Sequence, residues 1–230
     1  MGVIYLVRHG QADPNAYGIQ GTDDAAPNGP GGLTDTGVMQ ARLTGALLAS
    51  LTDKVTAAVS GDLPRQSQTL AGVLEAFDAA PAPEVDPDWN EYALPALVGS
   101  ASAEEYRDGR SYQQRLDAGL AAWIADTAQH HEAGGETYRD FSTRISAAAD
   151  RAVALAGSGQ TVVVVASAGS ITQWLGQLWD VPAQTWPLLS RTMVNASVSK
   201  LIVGRTGVSV VSFNEHAHLA DRDGGVATFR

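Results

Sequence analysis

The chain has 230 residues, 44% of them hydrophobic, and a formal net charge of −10. This length is enough for one large α/β domain, and the acidic balance argues against nucleic acids and anionic membranes as partners. The sequence has no cysteine, which excludes disulfides, thiolate chemistry and cysteine-based zinc sites. No apolar run reaches membrane-spanning length and no signal-peptide pattern opens the chain, so we expect a cytoplasmic protein.

The first predicted element is a strand over residues 3–7, whose sequence VIYLV has no polar alternation. Such a run is typical of a strand that is buried on both faces of a sheet. Arg8 and His9 follow at its carboxyl end, where open α/β sheets bind their ligands. Arg8 could hold phosphoryl oxygens with two parallel hydrogen bonds, a neutral His9 could attack phosphorus, and Gly10 would let the backbone approach the anion. The alternative is that His9 caps a carbonyl and Arg8 forms a salt bridge.

Residues 13–32 are dense in glycine, proline, asparagine and aspartate, which predicts a long loop. A loop of this length beside a candidate site is usually functional. We therefore expect it to lie across the pocket, and we predict substrate contacts at Gln11, Asn15 and Gly21. Thr34 then begins a predicted helix as its N-cap.

A second predicted strand, residues 55–59, leads through a polar turn into a helix whose first turn contains Arg65. The amino terminus of a helix attracts anions and disfavours a cation. A basic residue at this place therefore indicates a negative ligand beside it. An exposed arginine on a helix face is the common alternative.

Three motifs occur in order along this half of the chain. They are Arg8-His9-Gly10, then Leu33-Thr34-x-x-Gly37-x-x-Gln40-Ala41, then Ser60 with Leu63-x-Arg65-x-x-Gln68-Thr69. Their order and spacing resemble those of the histidine phosphatase superfamily, the phosphoglycerate-mutase-like family, and the resemblance extends from Val3 to about Leu219. It implies that His9 is the phosphorylated histidine and that Arg8 and Arg65 form the phosphate pocket. Two guanidinium groups would stabilise the transferred phosphoryl group and keep the imidazole unprotonated.

The resemblance also implies an acidic proton donor after the proline-rich connector. Glu91, in the segment WNEY, matches that position. A proton donor needs a carboxyl group with a raised pKa, for which Trp89 and Tyr92 could supply apolar surroundings. A surface glutamate in a loop is the alternative, and Glu104 and Glu105 are further candidates for the donor.

The strongest strand signal, TVVVV over residues 161–165, precedes a departure from the family pattern. In the family this strand usually ends in a Ser-His-Gly-Gly type turn whose histidine contacts the phosphoryl group. Ser167 stands at the position of that histidine. We predict that the Ser167 hydroxyl and the backbone amide of Gly169 bind phosphate. The loss of one charged group could lower the rate about a hundredfold or more.

The other histidines receive no catalytic role. His216 and His218 follow the last predicted strand, residues 208–213, and either could fold back to replace the missing imidazole, but a packed or capping role is favoured. His130 and His131 are interpreted as a solvated helix end. We expect neither a metal nor another cofactor.

These observations together predict a three-layer α/β/α sandwich with a mostly parallel central sheet. We expect a single domain over residues 1–230, with a helical cap at about residues 92–135. The site should lie over the strands that end near Val7, Val59 and Val165.

The predicted function is the hydrolysis of small phosphomonoesters. His9 attacks phosphorus, Glu91 protonates the leaving group, and water then cleaves the phosphohistidine. A catalytically weakened phosphate-binding protein is the alternative, motivated by Ser167. A phosphoglycerate-type mutase is less favoured, because the Glu-Arg-Arg-Tyr-Gly-like segment of such mutases is missing after Glu91 and the tail is short.

Overall fold

The computed structural model describes the chain except for residues 18, 21–27, 95, 96, 98, 100, 103–108, 126–134, 221–223 and 230. Its strands are β1 (Gly2–Arg8), β2 (Ile19–Gln20), β3 (Ala57–Ser60), β4 (Pro83–Val85), β5 (Ala101–Ser102), β6 (Thr161–Ala166), β7 (Val198–Gly204) and β8 (Gly207–Glu215). Its helices are α1 (Asp35–Leu51), α2 (Pro64–Leu74), α3 (Gly109–Ile124), α4 (Tyr138–Leu155), α5 (Ala168–Leu178) and α6 (Trp186–Thr192).

Six of the strands form one open sheet in the order β4-β3-β6-β1-β7-β8. The first four are parallel to one another, and β7 and β8 continue the sheet in antiparallel pairing. The register places Arg8 opposite Ala166 and Ser60 opposite Val165. The carboxyl ends of β1, β3 and β6 therefore meet at one edge, and the predicted mostly parallel sheet is confirmed.

Helices cover both faces of this sheet. On one face, Tyr5 and Val7 pack with residues of β6, α1 and α2. On the other face, Ile4 and Leu6 pack with α4, α5 and the aromatic side chains around Trp186. Because alternate residues of β1 and β6 enter different cores, both strands are apolar throughout, as expected for strands buried on both sides. The three-layer α/β/α sandwich is confirmed.

Local predictions are met with small shifts. Thr34 is the N-cap of α1, and its side chain accepts the N–H of Gly37. The second strand spans Ala57–Ser60 rather than residues 55–59, because Val55 packs into the core before the β-ladder begins. Part of the predicted loop is ordered as a 3₁₀ turn, Pro14–Tyr17, followed by β2, which pairs with β5.

The predicted cap region contributes α3. This helix buries Leu116, Leu120 and Trp123 in the same core cluster that covers the sheet. A distinct cap over residues 92–135 stays a prediction. Among the residues described above, no helix combines the length and the apolarity needed to cross a bilayer.

Candidate active site

Four side chains predicted from the sequence converge on one cavity at the carboxyl edge of the sheet. Arg8, His9, Arg65 and Glu91 all line it, and it encloses about 710 Å³ when its open mouth is included. Arg8 ends β1, Arg65 lies in the first turn of α2, and Glu91 follows the 3₁₀ turn after β4. Only 2% of His9 is exposed to solvent. The strand ends thus bring together an imidazole, two guanidinium groups and a carboxyl group.

Hydrogen bonds fix both the position and the tautomer of His9. Its Nδ1 lies 2.8 Å from the carbonyl oxygen of Gly10, so Nδ1 carries the proton and donates it there. Its Nε2 accepts a hydrogen bond of 3.2 Å from Nε of Arg65. The backbone carbonyl of His9 accepts a hydrogen bond of 3.2 Å from the side-chain amide of Asn195. The lone pair that a nucleophile needs is therefore on Nε2 and points to a cation.

Close backbone approaches explain why glycine recurs in the first two motifs. A Cβ atom on Gly10 would lie 2.6 Å from the carbonyl oxygen of Gly37, and one on Gly37 would lie 2.1 Å from that of Gln11. Thr69, from the third motif, accepts the Gly10 N–H at 2.9 Å and donates to the Arg65 carbonyl at 2.7 Å. These contacts bring the first turn of α1 and the side chains of α2 up against the end of β1.

The two arginines are held by different partners. Nη1 of Arg8 donates to the carbonyl of Met193 and lies 3.5 Å from the carbonyl of Phe229. The guanidinium of Arg65 lies 5.5 Å from the ring centroid of Tyr17. Burial and then the charges of Arg65 and Arg8 hold the pKa of His9 well below its usual value, because each disfavours the imidazolium. The imidazole is therefore neutral at neutral pH.

The carboxyl group of Glu91 has the opposite tendency. Burial raises the pKa of Glu91, and the hydrogen bond from Gly169 and the two arginine charges offset only part of this effect. The Gly169 N–H donates to Oε2 at 2.9 Å. A Cβ atom on residue 169 would lie 2.1 Å from Oε1. Gly169 thus admits and orients the carboxyl group; its amide donates to Glu91 in this structure, and phosphate binding by that amide stays a prediction.

Arg144 of α4 braces the loop that carries Glu91. Its Nη1 donates to the carbonyls of Asp88 and Asn90 at 2.8 and 2.7 Å. Its Nε donates to Glu136 at 2.7 Å, which orients the guanidinium. The backbone on the amino-terminal side of Glu91 is therefore fixed by hydrogen bonds from the helix beneath it.

Ser167 occupies the N-cap position of α5 and is buried. Its hydroxyl accepts a hydrogen bond of 3.1 Å from the side-chain amide of Gln66, which also donates to the carbonyl of Trp89. Because the Ser167 oxygen is the acceptor in that contact, its hydroxyl hydrogen can be donated to another group. Ala168 lines the cavity, and Ser167, next to it in the chain, is not among the described lining residues.

The predicted substrate contacts at Gln11 and Asn15 have other partners in this structure. The side-chain oxygen of Gln11 accepts from Thr34 at 2.8 Å, and the side chain of Asn15 donates to Asp13 at 2.7 Å. Neither is among the described residues that line the cavity. Gly21 lies outside the described residues, so substrate binding at these three positions stays a prediction.

The remaining candidates from the sequence lie away from the cavity or outside the described residues. Glu104, Glu105, His130 and His131 belong to the second group. Nδ1 of His216 lies 2.7 Å from the carbonyl of Asn214, and Nε2 of His218 lies 2.9 Å from the Thr44 hydroxyl. Neither histidine is among the described residues that line the cavity. In the part of the chain described, no cluster of three histidine, aspartate or glutamate residues could hold a metal ion.

Sequence reasoning missed Tyr17. Its ring centroid lies 6.5 Å from that of His9, and its buried hydroxyl has no hydrogen-bond partner among the residues that the structure describes. It lines the cavity beside Arg65. An aromatic residue in a polar loop was the only available signal, and it did not show which way the side chain points.

Comparisons with known proteins show the family of the chain. The family model of the histidine phosphatase superfamily (branch 1) matches residues 4–216. Among curated proteins, no sequence matches the chain.

Several solved structures share the fold. A mycobacterial glucosyl-3-phosphoglycerate phosphatase in complex with VO3 is 24% identical with a TM-score of 0.65, and the match covers 94% of this chain and 100% of that one. YhfR from Bacillus stearothermophilus is 21% identical with a TM-score of 0.69, covering 94% and 98% of the two chains. A phosphoserine phosphatase from Entamoeba histolytica is 18% identical with a TM-score of 0.66, covering 95% and 100%.

Proposed function

The chain belongs to the histidine phosphatase superfamily, and from this premise we propose that it hydrolyses small phosphomonoesters through a phosphohistidine on His9. The observation that carries the proposal is the hydrogen-bonding state of the imidazole. Nδ1 donates to a carbonyl, and Nε2 presents its lone pair to Arg65 in a buried cavity. A neutral imidazole in this state is a nucleophile at phosphorus.

In the first step, Nε2 of His9 attacks phosphorus and the bond from phosphorus to the ester oxygen breaks. Burial raises the pKa of Glu91, which favours its protonated form, and Glu91 transfers its proton to the departing oxygen. Arg65, which donates to Nε2 in this structure, would donate instead to the phosphoryl group that bonds there. Arg8 and Arg65 stabilise the charge on the equatorial oxygens.

In the second step, water attacks the phosphohistidine and the phosphorus–nitrogen bond breaks. The Glu91 carboxylate left by the first step accepts the proton of that water, so phosphate is released and the enzyme returns to its starting state. The hydroxyl of Ser167 would add one neutral donor to the phosphate end. The two guanidinium groups supply the positive charge that the transition state needs, so we propose a reaction without a metal or other cofactor.

Hydrolysis of a panel of phosphate esters by the wild type and by His9→Ala tests this function. The variant should lose activity by about 10⁴-fold or more, since it lacks the nucleophile. His216→Ala is the matched control, because this exposed histidine lies away from the cavity, and it should retain wild-type activity.

The same panel distinguishes hydrolysis from phosphate binding and from isomerisation. If the wild type and His9→Ala are equally inert, but phosphate raises the melting temperature of the wild type, the protein binds phosphate without turnover. This second candidate is motivated by Ser167, which stands where the family resemblance implies a second histidine. Isomerisation of phosphoglycerate faster than hydrolysis would instead identify a mutase.

A further inference from the structure

The part of the cavity away from His9 is walled by one face of α3. Tyr112, Leu116 and Leu120 are four residues apart, so they lie in line on that helix, and all three are buried. Leu94 and Pro187 complete this wall. A substrate whose phosphoryl group is at His9 must place its leaving group against these side chains.

Three polar side chains that line this end, Gln113, Asp117 and Arg191, are joined by hydrogen bonds. Oδ1 of Asp117 accepts hydrogen bonds from Gln113 at 2.7 Å and from Arg191 of α6 at 2.8 Å. The ion pair of Asp117 and Arg191 therefore joins α3 to α6 across the end of the cavity. These bonds engage Oδ1 of Asp117 and one nitrogen each of Gln113 and Arg191, so those atoms are already partnered before a substrate binds.

A second cavity lies on the other side of this ion pair. Asp117, Pro187 and Arg191 line both spaces, and the second, of about 500 Å³, is otherwise bordered mainly by apolar side chains that include Ile124 and Leu188. Asp117 and Arg191 thus border both the α3 wall of the first cavity and the second cavity, and we take their ion pair as the far limit of the space for a leaving group.

We propose that the phosphate ester cleaved at His9 carries an apolar leaving group, alkyl or aryl, that packs along Tyr112, Leu116 and Leu120. The proposal rests on the proposed hydrolase function and names its substrate class. Each methylene group that moves from water onto this wall makes binding more favourable. Each hydroxyl group that is buried there without a hydrogen-bond partner makes binding less favourable.

A series of n-alkyl phosphates from ethyl to decyl tests the proposal on the wild-type protein. The value of kcat/KM should rise about threefold per methylene group until the chain reaches the Asp117–Arg191 pair, and then level off. Butyl phosphate should exceed glycerol 3-phosphate, which has a similar size, by about tenfold or more.

The wall is tested with Leu116→Asn, with Leu116→Met as the matched apolar control. Leu116→Asn should lower kcat/KM for hexyl phosphate about tenfold and leave ethyl phosphate within about twofold, which also shows that the variant is folded. Leu116→Met should keep the wild-type dependence on chain length. Replacing Arg191 by alanine should shift the plateau to longer chains, because the two cavities would then be continuous.

The outcomes separate this inference from the proposed function. If the wild type hydrolyses all esters with no dependence on chain length, or prefers glycerol 3-phosphate, the apolar leaving group is overturned and the hydrolase function stands. If the wild type hydrolyses none of the esters faster than His9→Ala does, both the apolar leaving group and the hydrolase function are overturned.

Discussion

The two ends of the cavity are built in different ways. At the phosphate end, Arg8 and His9 follow from the end of β1, where their backbone N–H groups donate to the carbonyls of Ser197 and Ala166. Arg65 lies in the first turn of α2 and donates to Nε2 of His9. At the other end, side chains of α3 and α6 are joined by one ion pair, Asp117–Arg191, whose side chains are 37% and 39% exposed. The side chains to which we assign the chemistry thus lie at the carboxyl edge of the sheet, whereas those proposed to contact the leaving group lie on helices.

The first prediction, with the largest expected effect, concerns Glu91, the acid that lines the same cavity. Glu91→Gln should lower kcat/KM for alkyl phosphates by about 10³- to 10⁴-fold, because an alkoxide leaves poorly without a proton. For p-nitrophenyl phosphate the loss should be less than about tenfold, and a burst of nitrophenol should precede slow turnover. Stopped-flow assays of both substrates measure this.

Glu75→Gln is the control for that experiment. Glu75 is exposed and pairs with Arg42 far from the cavity, so both substrates should be hydrolysed at wild-type rates. Equal losses for the two leaving groups in Glu91→Gln would show that Glu91 is not the proton donor.

A second prediction concerns the phosphate end alone. Arg65→Met should lower kcat by about 10²- to 10³-fold for every substrate, since one charged donor to the transferred group is lost. The same change should raise the pKa of His9, because the charge of Arg65 lowers it in the wild type. Activity needs a neutral imidazole and falls as the pH drops through this pKa, so the acid limit of activity should move to higher pH.

Histidine NMR titration checks the shift directly. Arg42→Met removes an exposed arginine and should leave both kcat and the His9 titration unchanged. An unchanged pKa of His9 in Arg65→Met would contradict the electrostatic account of the imidazole.

A third prediction uses two glycines of the same helix. Gly169→Ala should displace the Glu91 carboxyl group, because the new Cβ would lie 2.1 Å from Oε1, and kcat/KM for alkyl phosphates should fall about 10²-fold. Gly176→Ala places its Cβ at an ordinary 3.7 Å from Val181 and should be silent. If both variants behave alike in kinetic assays, Gly169 does not position the acid.

The smallest predicted effect is that of Ser167→Ala. If the hydroxyl donates one neutral hydrogen bond to the phosphoryl group, kcat/KM should fall about tenfold for all leaving groups. Gln66 keeps its bond to the carbonyl of Trp89, so the melting temperature should change little. An unchanged kcat/KM would assign Ser167 to structure alone.

The sequence predicted the phosphate end because its signals are local. Arg8 and His9 lie at the carboxyl end of an apolar strand, and Arg65 lies at the start of the helix that follows another strand. Because parallel strands end at the same edge of a sheet, these residues are expected to lie close together. The position of Glu91 came from the family pattern, and the hydrogen bond from Gly169 to its carboxyl group is visible only in the coordinates.

The other contacts could not be predicted because they join distant parts of the chain. Arg144 donates to the carbonyl of Asn90, which lies 54 positions earlier in the chain. Arg191 donates to Asp117, which lies 74 positions earlier. No local pattern shows where a surface helix directs such a side chain. The hydrogen bond from the Gly169 amide to the Glu91 carboxyl group joins residues 78 positions apart, which no local pattern indicates.

The most direct test of the account is to trap the enzyme during turnover and locate the phosphoryl group by mass spectrometry and ³¹P NMR. A phosphatase that works as proposed should carry one phosphoryl group, on Nε2 of His9, and none in His9→Ala. Turnover without any phosphorylated enzyme, or a phosphoryl group on another residue, would contradict the central claim.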